Sequence, residues 1–379
     1  MVGLQDRQVN TAVHRFPPPL VDHDSDREVS SIPPSVASIQ HCLAQNVSLL
    51  ACPRCGGRLE FARYGLQCKC CGSEYFSDSG IPSLFFPHDV LYGPRDVTQP
   101  VKDFYDANPF PTYDDLDSTE TLCDQFSDSL LANLLNKQLS PDALILDAGC
   151  GTGRLANFLA LQKNRRVIGA DLSMNSLRHA KRFKDRCAIQ NVGFLQMNLF
   201  RPPFCPRIFD VIIAESVLHH TSDPLRGFQV LASLLKSDGL FVLSLYNPFG
   251  RVGNDVRRIM HHLSQDRFAF LDRQRSRFIQ RYKQPWETRH FLAEIATEWF
   301  PGNQFEFLYS SPRIGPKNFT GSDDLCFPRW PGDRTMQVKT EIGMLLRGIV
   351  NDGSFVMIGR NKAQPKQIDT PEFSQAAGA

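Results

Sequence analysis

The sequence predicts an α/β fold: a doubly wound, mostly parallel sheet of seven strands with a helical cap, preceded by a small cysteine-rich module. Three observations predict it. Between 143 and 246, apolar runs of strand length alternate with helix-length segments, as in strands joined by crossover helices. The first run ends in a glycine-rich turn, DAGCGTG at 147–153. Two C-x-x-C pairs, at 52–55 and 68–71, stand ahead of the alternation.

Taken in order, residues 1–46 read as a disordered tail, since FPPPL, DHDSDRE and SSIPPS carry no sustained periodicity. The cysteine module spans 47–90. Residues 99–142 form a connector or lid around FYDANPFPTYDD, then a helix over 121–139 that places Phe126, Leu130, Leu131, Leu134 and Leu135 on one face. The main domain covers 143–362. Its strands fall at 144–146, 167–170, 192–197, 211–214 and 240–245, with helices near 153–163, 174–187 and 224–236. A shorter loop rich in Pro and Phe joins the third strand to the fourth. Residues 251–300 read as the helical cap. There Thr288 suits an N-cap ahead of Phe291, Leu292, Ile295 and Trp299, and Pro301 and Gly302 stop the helix. Strands at 304–309 and 354–359 bring the total to seven, separated by a long loop over 311–332 and a helix near 335–349. Residues 363–379 read as a second disordered tail.

Composition narrows the function classes. Of 379 residues, 42% are apolar and 22% charged, which suits a soluble globular protein. Forty-two Lys and Arg against 40 Asp and Glu leave a formal charge of +2, so the whole surface is no magnet for nucleic acid. No apolar run approaches the ~18–20 residues that span a bilayer. MVGLQDRQVNTAVHRF lacks the apolar core of a signal peptide, so a cytoplasmic location is expected. The cysteines number eleven, five of them between 52 and 71; that odd, uneven distribution does not suit a secreted disulfide framework.

The glycine loop carries the chemistry. LILDAGCGTGRL sets Asp147 at a strand end, then Gly149, Gly151 and Gly153, then a helix. Glycines there let the backbone approach a ligand without a Cβ, and a helix N-terminus supplies free N–H groups. A dinucleotide loop needs a third glycine at 154, where Arg154 stands. A P-loop needs G-K-[ST], which is absent. Further landmarks follow in order: RVIGADLS with Asp171 and Leu172, GFLQMNLF with Asn198 and Leu199, FDVIIAESVLHH with Glu215, His219 and His220, and LLKSDGLFVLSLYN with Gly239 at its turn.

This series resembles the motifs of class I S-adenosylmethionine (SAM)-dependent methyltransferases and implies their Rossmann-like sheet and their cofactor. The resemblance implies that Asp147, Gly149, Cys150, Gly151 and Gly153 form the donor loop and that Asp171 holds the ribose hydroxyls. It sets Asn198 against the adenine amino group, where the family usually has Asp, and Glu215 by the amino-acid end. Tyr105, in the segment ahead of the loop, reads either as part of a lid or as part of a hydrophobic strap. NPFG at 247–250 is no amino-methylation motif, because Asn247 follows the fifth strand and Gly250 is not aromatic.

In the module, two C-x-x-C knuckles twelve residues apart offer four thiolates, the donor set of a closed structural zinc site. Cys52, Cys55, Cys68 and Cys71 are the expected ligands of Zn²⁺ and Cys70 the spare; the competing reading is a redox pair. With the continuation SEYFSDSGIPSLFF, the module resembles the zinc ribbon found before bacterial methyltransferases and as a free-standing activator of RNA and protein methyltransferases. That implies a structural or protein-docking role.

Three functions fit. The first is methyl transfer to a small-molecule acceptor, with His219, His220, His290 and Glu287 as the pool of acid–base residues. The second is RNA methylation, served by the Arg-rich insert 251–283. The third is a non-catalytic SAM-binding scaffold. Because the methyl is already activated, the protein mainly supplies alignment and desolvation.

Overall fold

The computed structural model describes residues 41–87, 96–113, 116–256, 259, 287–314, 325–326, 329–347 and 353–363. A short helix α1 (His41–Gln45) leads into the four ribbon strands β1 (Leu59–Ala62), β2 (Gly65–Cys68), β3 (Glu74–Asp78) and β4 (Ile81–Leu84). Helices α2 (Thr98–Ala107), α3 (Thr119–Ser127) and α4 (Leu130–Gln138) follow. The alternating region supplies β5 (Leu144–Ala148), α5 (Arg154–Leu159), β6 (Arg166–Asp171), α6 (Met174–Arg186), β7 (Val192–Met197), β8 (Phe209–Glu215), α7 (Pro224–Ala232) and β9 (Leu235–Tyr246). A helical stretch α8 runs over 292–302 and is π-helical at Ile295–Trp299. The strands β10 (Phe305–Ser311) and β11 (Ser354–Asn361) flank helix α9 (Arg334–Arg347).

The seven expected strands are present, in the order β7–β6–β5–β8–β9–β11–β10, but the sheet has eleven. The ribbon supplies the other four: β4 lies parallel to β7, with Ser83 opposite Gln196 and Leu84 opposite Met197. An edge strand exposes a row of unpaired amides and carbonyls, and β4 covers that row on β7. Strand order reverses at β5, with β6 and β7 on one side and β8 and β9 on the other. In open α/β sheets such a switch point leaves a crevice at the C-terminal strand ends.

Both faces of the sheet are buried. Leu144, Leu146, Ile168 and Leu243 join one apolar cluster; Ile145, Val167, Ile213 and Val242 join the other. The first cluster continues into the ribbon through Leu59, Leu66, Tyr75 and Leu84, so ribbon and sheet share a core. Each such fully buried side chain contributes roughly 1.5–3 kcal/mol.

Four local expectations change. Residues 41–45 lie within the expected tail yet form α1, because Cys42 and Leu43 are buried, with Leu43 seated against Gly193 of β7. The helix over 121–139 is two helices: Ser129 caps α4 through the Ala132 N–H, and the break turns Leu130 out to 77% exposure. Thr288 is no N-cap; its backbone N–H and hydroxyl both donate to the His219 carbonyl. Asp238 takes a positive φ and β9 begins at Leu235, so the turn expected at Gly239 lies within a strand. One unforeseen feature is Arg165, a fully buried cation. It donates to the carbonyls of Ser140, Leu159, Asn136 and Leu139 and to the Asn136 side chain, closing the C-terminal ends of α4 and α5. No helix among the described residues is long and apolar enough to cross a membrane.

Candidate functional site

A cavity of about 410 Å³ opens at the C-terminal ends of β5, β6 and β8. Its lining includes Asp147, Gly149, Cys150, Gly151, Asp171, Leu172, Asn198, Leu199, Glu215 and Tyr105, ten of the eleven residues expected at the donor. Gly153 stays beneath. At φ +72° it packs so tightly on Ala180 and Phe194 that a Cβ would stand 2.7 Å from each.

The glycine loop is wired inward. Gly149 and Cys150 N–H donate to the Ala170 carbonyl (2.6 and 3.1 Å), Thr152 to Phe110 and Gly153 to Cys150. Gly151 N–H donates to the Asp171 carboxylate at 2.8 Å. The loop amides from Gly149 to Gly153 are therefore engaged within the protein, so over the loop a ligand meets Cα atoms and carboxylates rather than the amide nest that grips a phosphate.

Three carboxyls converge on the cavity from three strand ends. Asp147 is buried, and burial, then the Glu215 and Asp171 charges, push its pKa up to about 8. Burial also raises Asp171, against the Ser173 and Gly151 N–H groups that stabilise its charge. Glu215 is raised too, by burial alone; its exposed surface faces the cavity, which is walled by protein. Grouped acids in a desolvated space disfavour ionisation until a cation arrives. Asn198 lines the cavity with both ends of its side-chain amide engaged. Its oxygen accepts the Phe200 N–H and its amide donates to the Phe86 carbonyl.

The connector is tied to the loop. Thr152 Oγ1 donates to the Pro111 carbonyl, the Tyr113 hydroxyl donates to the Thr152 carbonyl, and Tyr113 stacks on Phe183. Tyr113 is thus part of the core, whereas Tyr105 and Phe110 line the cavity.

Of the acid–base pool, His220 alone reaches the cavity. Its ring lies 6.0 Å from Tyr105, and burial, then Arg251, lower its pKa to about 3. His219 is fully buried, 3.8 Å from the Tyr246 ring, with neither ring nitrogen hydrogen-bonded; burial and the nearby cationic groups hold it well below the usual range. Glu287 is held in a buried ion pair with Arg251 at 2.9 Å, and His290 bonds Thr288 and Glu294. Arg251, the first arginine of the insert, sits over the Tyr246 ring at 4.1 Å and is not presented to solvent. Apart from residues 251–256 and 259, the insert lies outside the described residues, as does Trp286, which QPWETRHF at 284–291 sets beside Glu287 and His290 as a candidate acceptor-site residue.

Sequence reasoning missed Tyr246, Gln125 and Arg154 in the lining. Arg154 donates to Gln125 and lies 5.4 Å over the Tyr113 ring. Its position directly after G-x-G-x-G was a usable signal.

In the ribbon, the sulfurs of Cys52, Cys55, Cys68 and Cys71 all lie within 4.8 Å of one another. The Cys52–Cys71 and Cys55–Cys68 separations, 3.7 and 3.5 Å, approach the ~3.8 Å tetrahedron edge implied by Zn–S bonds of about 2.3 Å. Backbone N–H groups of Gly57, Cys70 and Cys71 point at the sulfurs, as suits thiolates. Cys70 is exposed and outside the cluster. The residues present therefore fit a four-coordinate zinc.

Residues 139–284 match the family model described as a methyltransferase domain. The chain is 32% identical over 270 residues to an uncharacterized protein of Synechococcus, covering 61% of this chain and 64% of that one. It is 31% identical over 107 residues to a ubiquinone biosynthesis O-methyltransferase of Neisseria meningitidis, covering 27% and 44%. The chain thus spans less than two thirds of either relative. Among solved structures, a complex between the Haloferax volcanii Trm112 methyltransferase activator and a methyltransferase aligns over 71% of this chain and 99% of that one. Its identity is 16% and its TM-score 0.44. Over the core of its sheet, this chain is similar to methyltransferases.

Proposed function

We propose that the chain is a SAM-dependent methyltransferase acting on a small-molecule acceptor, with a structural zinc in its ribbon. The convergence of Asp147, Asp171 and Glu215 on one cavity carries the reading. A SAM donor brings a sulfonium and an ammonium, the charges that three acids favour, and Arg154 offers a cation to its carboxylate. Asp171 is the ribose acceptor: its oxygens take the Gly151 and Ser173 N–H groups, and a carboxylate has about four acceptor sites in all. When bound, SAM supplies an activated methyl; zinc, held by Cys52, Cys55, Cys68 and Cys71, supplies folding energy to the ribbon.

The chain's residues then align the acceptor and exclude water. His220 stays neutral near pH 7, since its pKa is about 3. It therefore orients the acceptor by a hydrogen bond rather than storing its proton. Tyr105 and Tyr246 wall the same side. The apolar character of that wall, and Arg251 turned inward to Glu287, favour a small acceptor over RNA.

Labelled SAM incubated with a metabolite extract and, separately, with total RNA tests the acceptor class; label found only in RNA defeats the small-molecule reading. With the labelled acceptor in hand, His220→Ala should slow turnover about 10²-fold, the cost of misplacing the acceptor by about 1 Å. His220→Gln should recover much of that loss. A glutamine as inactive as alanine would mean the proton itself is transferred.

A further inference from the structure

We propose that the cysteine ribbon is a working part of the donor pocket, with Ser83, Gln196 and the Phe86 carbonyl as positioning groups. This rests on the SAM reading above. The path is short and covalently anchored in the ribbon. Ser83, on β4, donates to Gln196 Oε1 at 2.6 Å, and Gln196 Nε2 donates to the Leu172 carbonyl at 2.9 Å. Two residues past β4, the Phe86 carbonyl accepts from the Asn198 amide at 3.0 Å. Leu172 and Asn198 both line the cavity.

The hold is two-sided. Met197, also in the lining, sits opposite Leu84 in the parallel register. On the opposite flank, the Ala51 N–H donates to the Pro203 carbonyl, the Cys205 N–H to Leu49, and Leu50 bridges Phe204. The ribbon therefore clasps both β7 and the loop that leaves Asn198. Asp78 and Arg178 add an ion pair between β3 and α6, the helix that follows Leu172.

Gln196 is 4% exposed and uses both ends of its amide. It cannot relax into water if its partner moves, and a buried polar group left unpaired is strongly disfavoured. A shift of β4 therefore carries Gln196 with it and displaces the Leu172 carbonyl. The knuckle cysteines hold the ribbon's short strands together, so the four-sulfur site tunes donor affinity from outside the cavity.

The test is S-adenosylhomocysteine binding by titration calorimetry with the full chain. Ser83→Ala should weaken binding about fivefold, the effect of one hydrogen bond, at unchanged stoichiometry; Ser83→Thr should restore it to within twofold. Loss of folded protein would lower stoichiometry and leave the affinity of the remainder intact. Stripping the metal with a chelator should weaken binding at least as much, and zinc addition should reverse it. Wild-type affinity in Ser83→Ala, or a fall in stoichiometry alone, overturns the coupling, provided Asp171→Ala weakens binding. If Asp171→Ala also binds normally, or the wild type does not bind, the SAM reading fails and takes the coupling with it.

Discussion

Donor binding should release a proton, and Asp147 is its source. With a pKa of about 8, this carboxyl is about 90% protonated at pH 7, one unit below its midpoint. A cation within about 4–6 Å lowers a carboxyl pKa by roughly 1–3 units. Taking a drop of about 2 units, binding at pH 7 releases about 0.8 proton, and affinity falls about 25-fold from pH 8 to pH 6. The assay is calorimetry at pH 7 in buffers of very different ionisation enthalpy, where the slope of observed heat gives the proton count. Asp147→Asn should flatten that slope. Identical heats in every buffer would refute the account. The same shift has a consequence for the donor-free protein. The folded pKa lies above the ordinary 3.8, so this group's contribution is intact below about pH 4. It is lost as pH rises to about 8, at up to about 1.4 kcal/mol per pH unit. Asp147→Asn should accordingly be more stable than wild type at pH 8 and similar to it at pH 4.

Two further substitutions probe the frame around the site. Arg165→Met leaves four carbonyls facing an apolar side chain, those of Leu159 and Leu139 in fully buried bonds; urea unfolding should show a loss of about 2–4 kcal/mol, at roughly 1–3 for each buried acceptor left unpaired, and a loss below about 1 would contradict their dependence on the guanidinium. Gly151→Ala sets a Cβ 2.4 Å from the Phe110 carbonyl oxygen at φ +53°. It should cost at least about 2 kcal/mol and weaken donor binding by pushing the connector off the loop, whereas unchanged stability would show that the connector is not tied there.

The sheet domain was legible because its signals are local. Strand and helix periods, the glycine turn and the spacing of the cysteine knuckles each lie within about 20 residues, and each dictates a backbone shape whatever surrounds it. The strand ends bearing Asp147, Asp171 and Glu215 could be read for the same reason. The acid–base pool could not be sorted that way. His219 and His220 are adjacent in sequence, yet one turns into the core against Tyr246 and the other into the cavity; Glu287 is taken up by Arg251, 36 residues away. Nor does any local pattern state that β4 pairs with β7, more than 100 residues on, or that the amides of the glycine loop turn inward. Pairing, burial and the charge a group carries depend on what packs against it from distant parts of the chain. The residue types of a donor loop and a metal knuckle can therefore be read in one dimension, while the coupling between ribbon and pocket exists only once the edge of the sheet has closed.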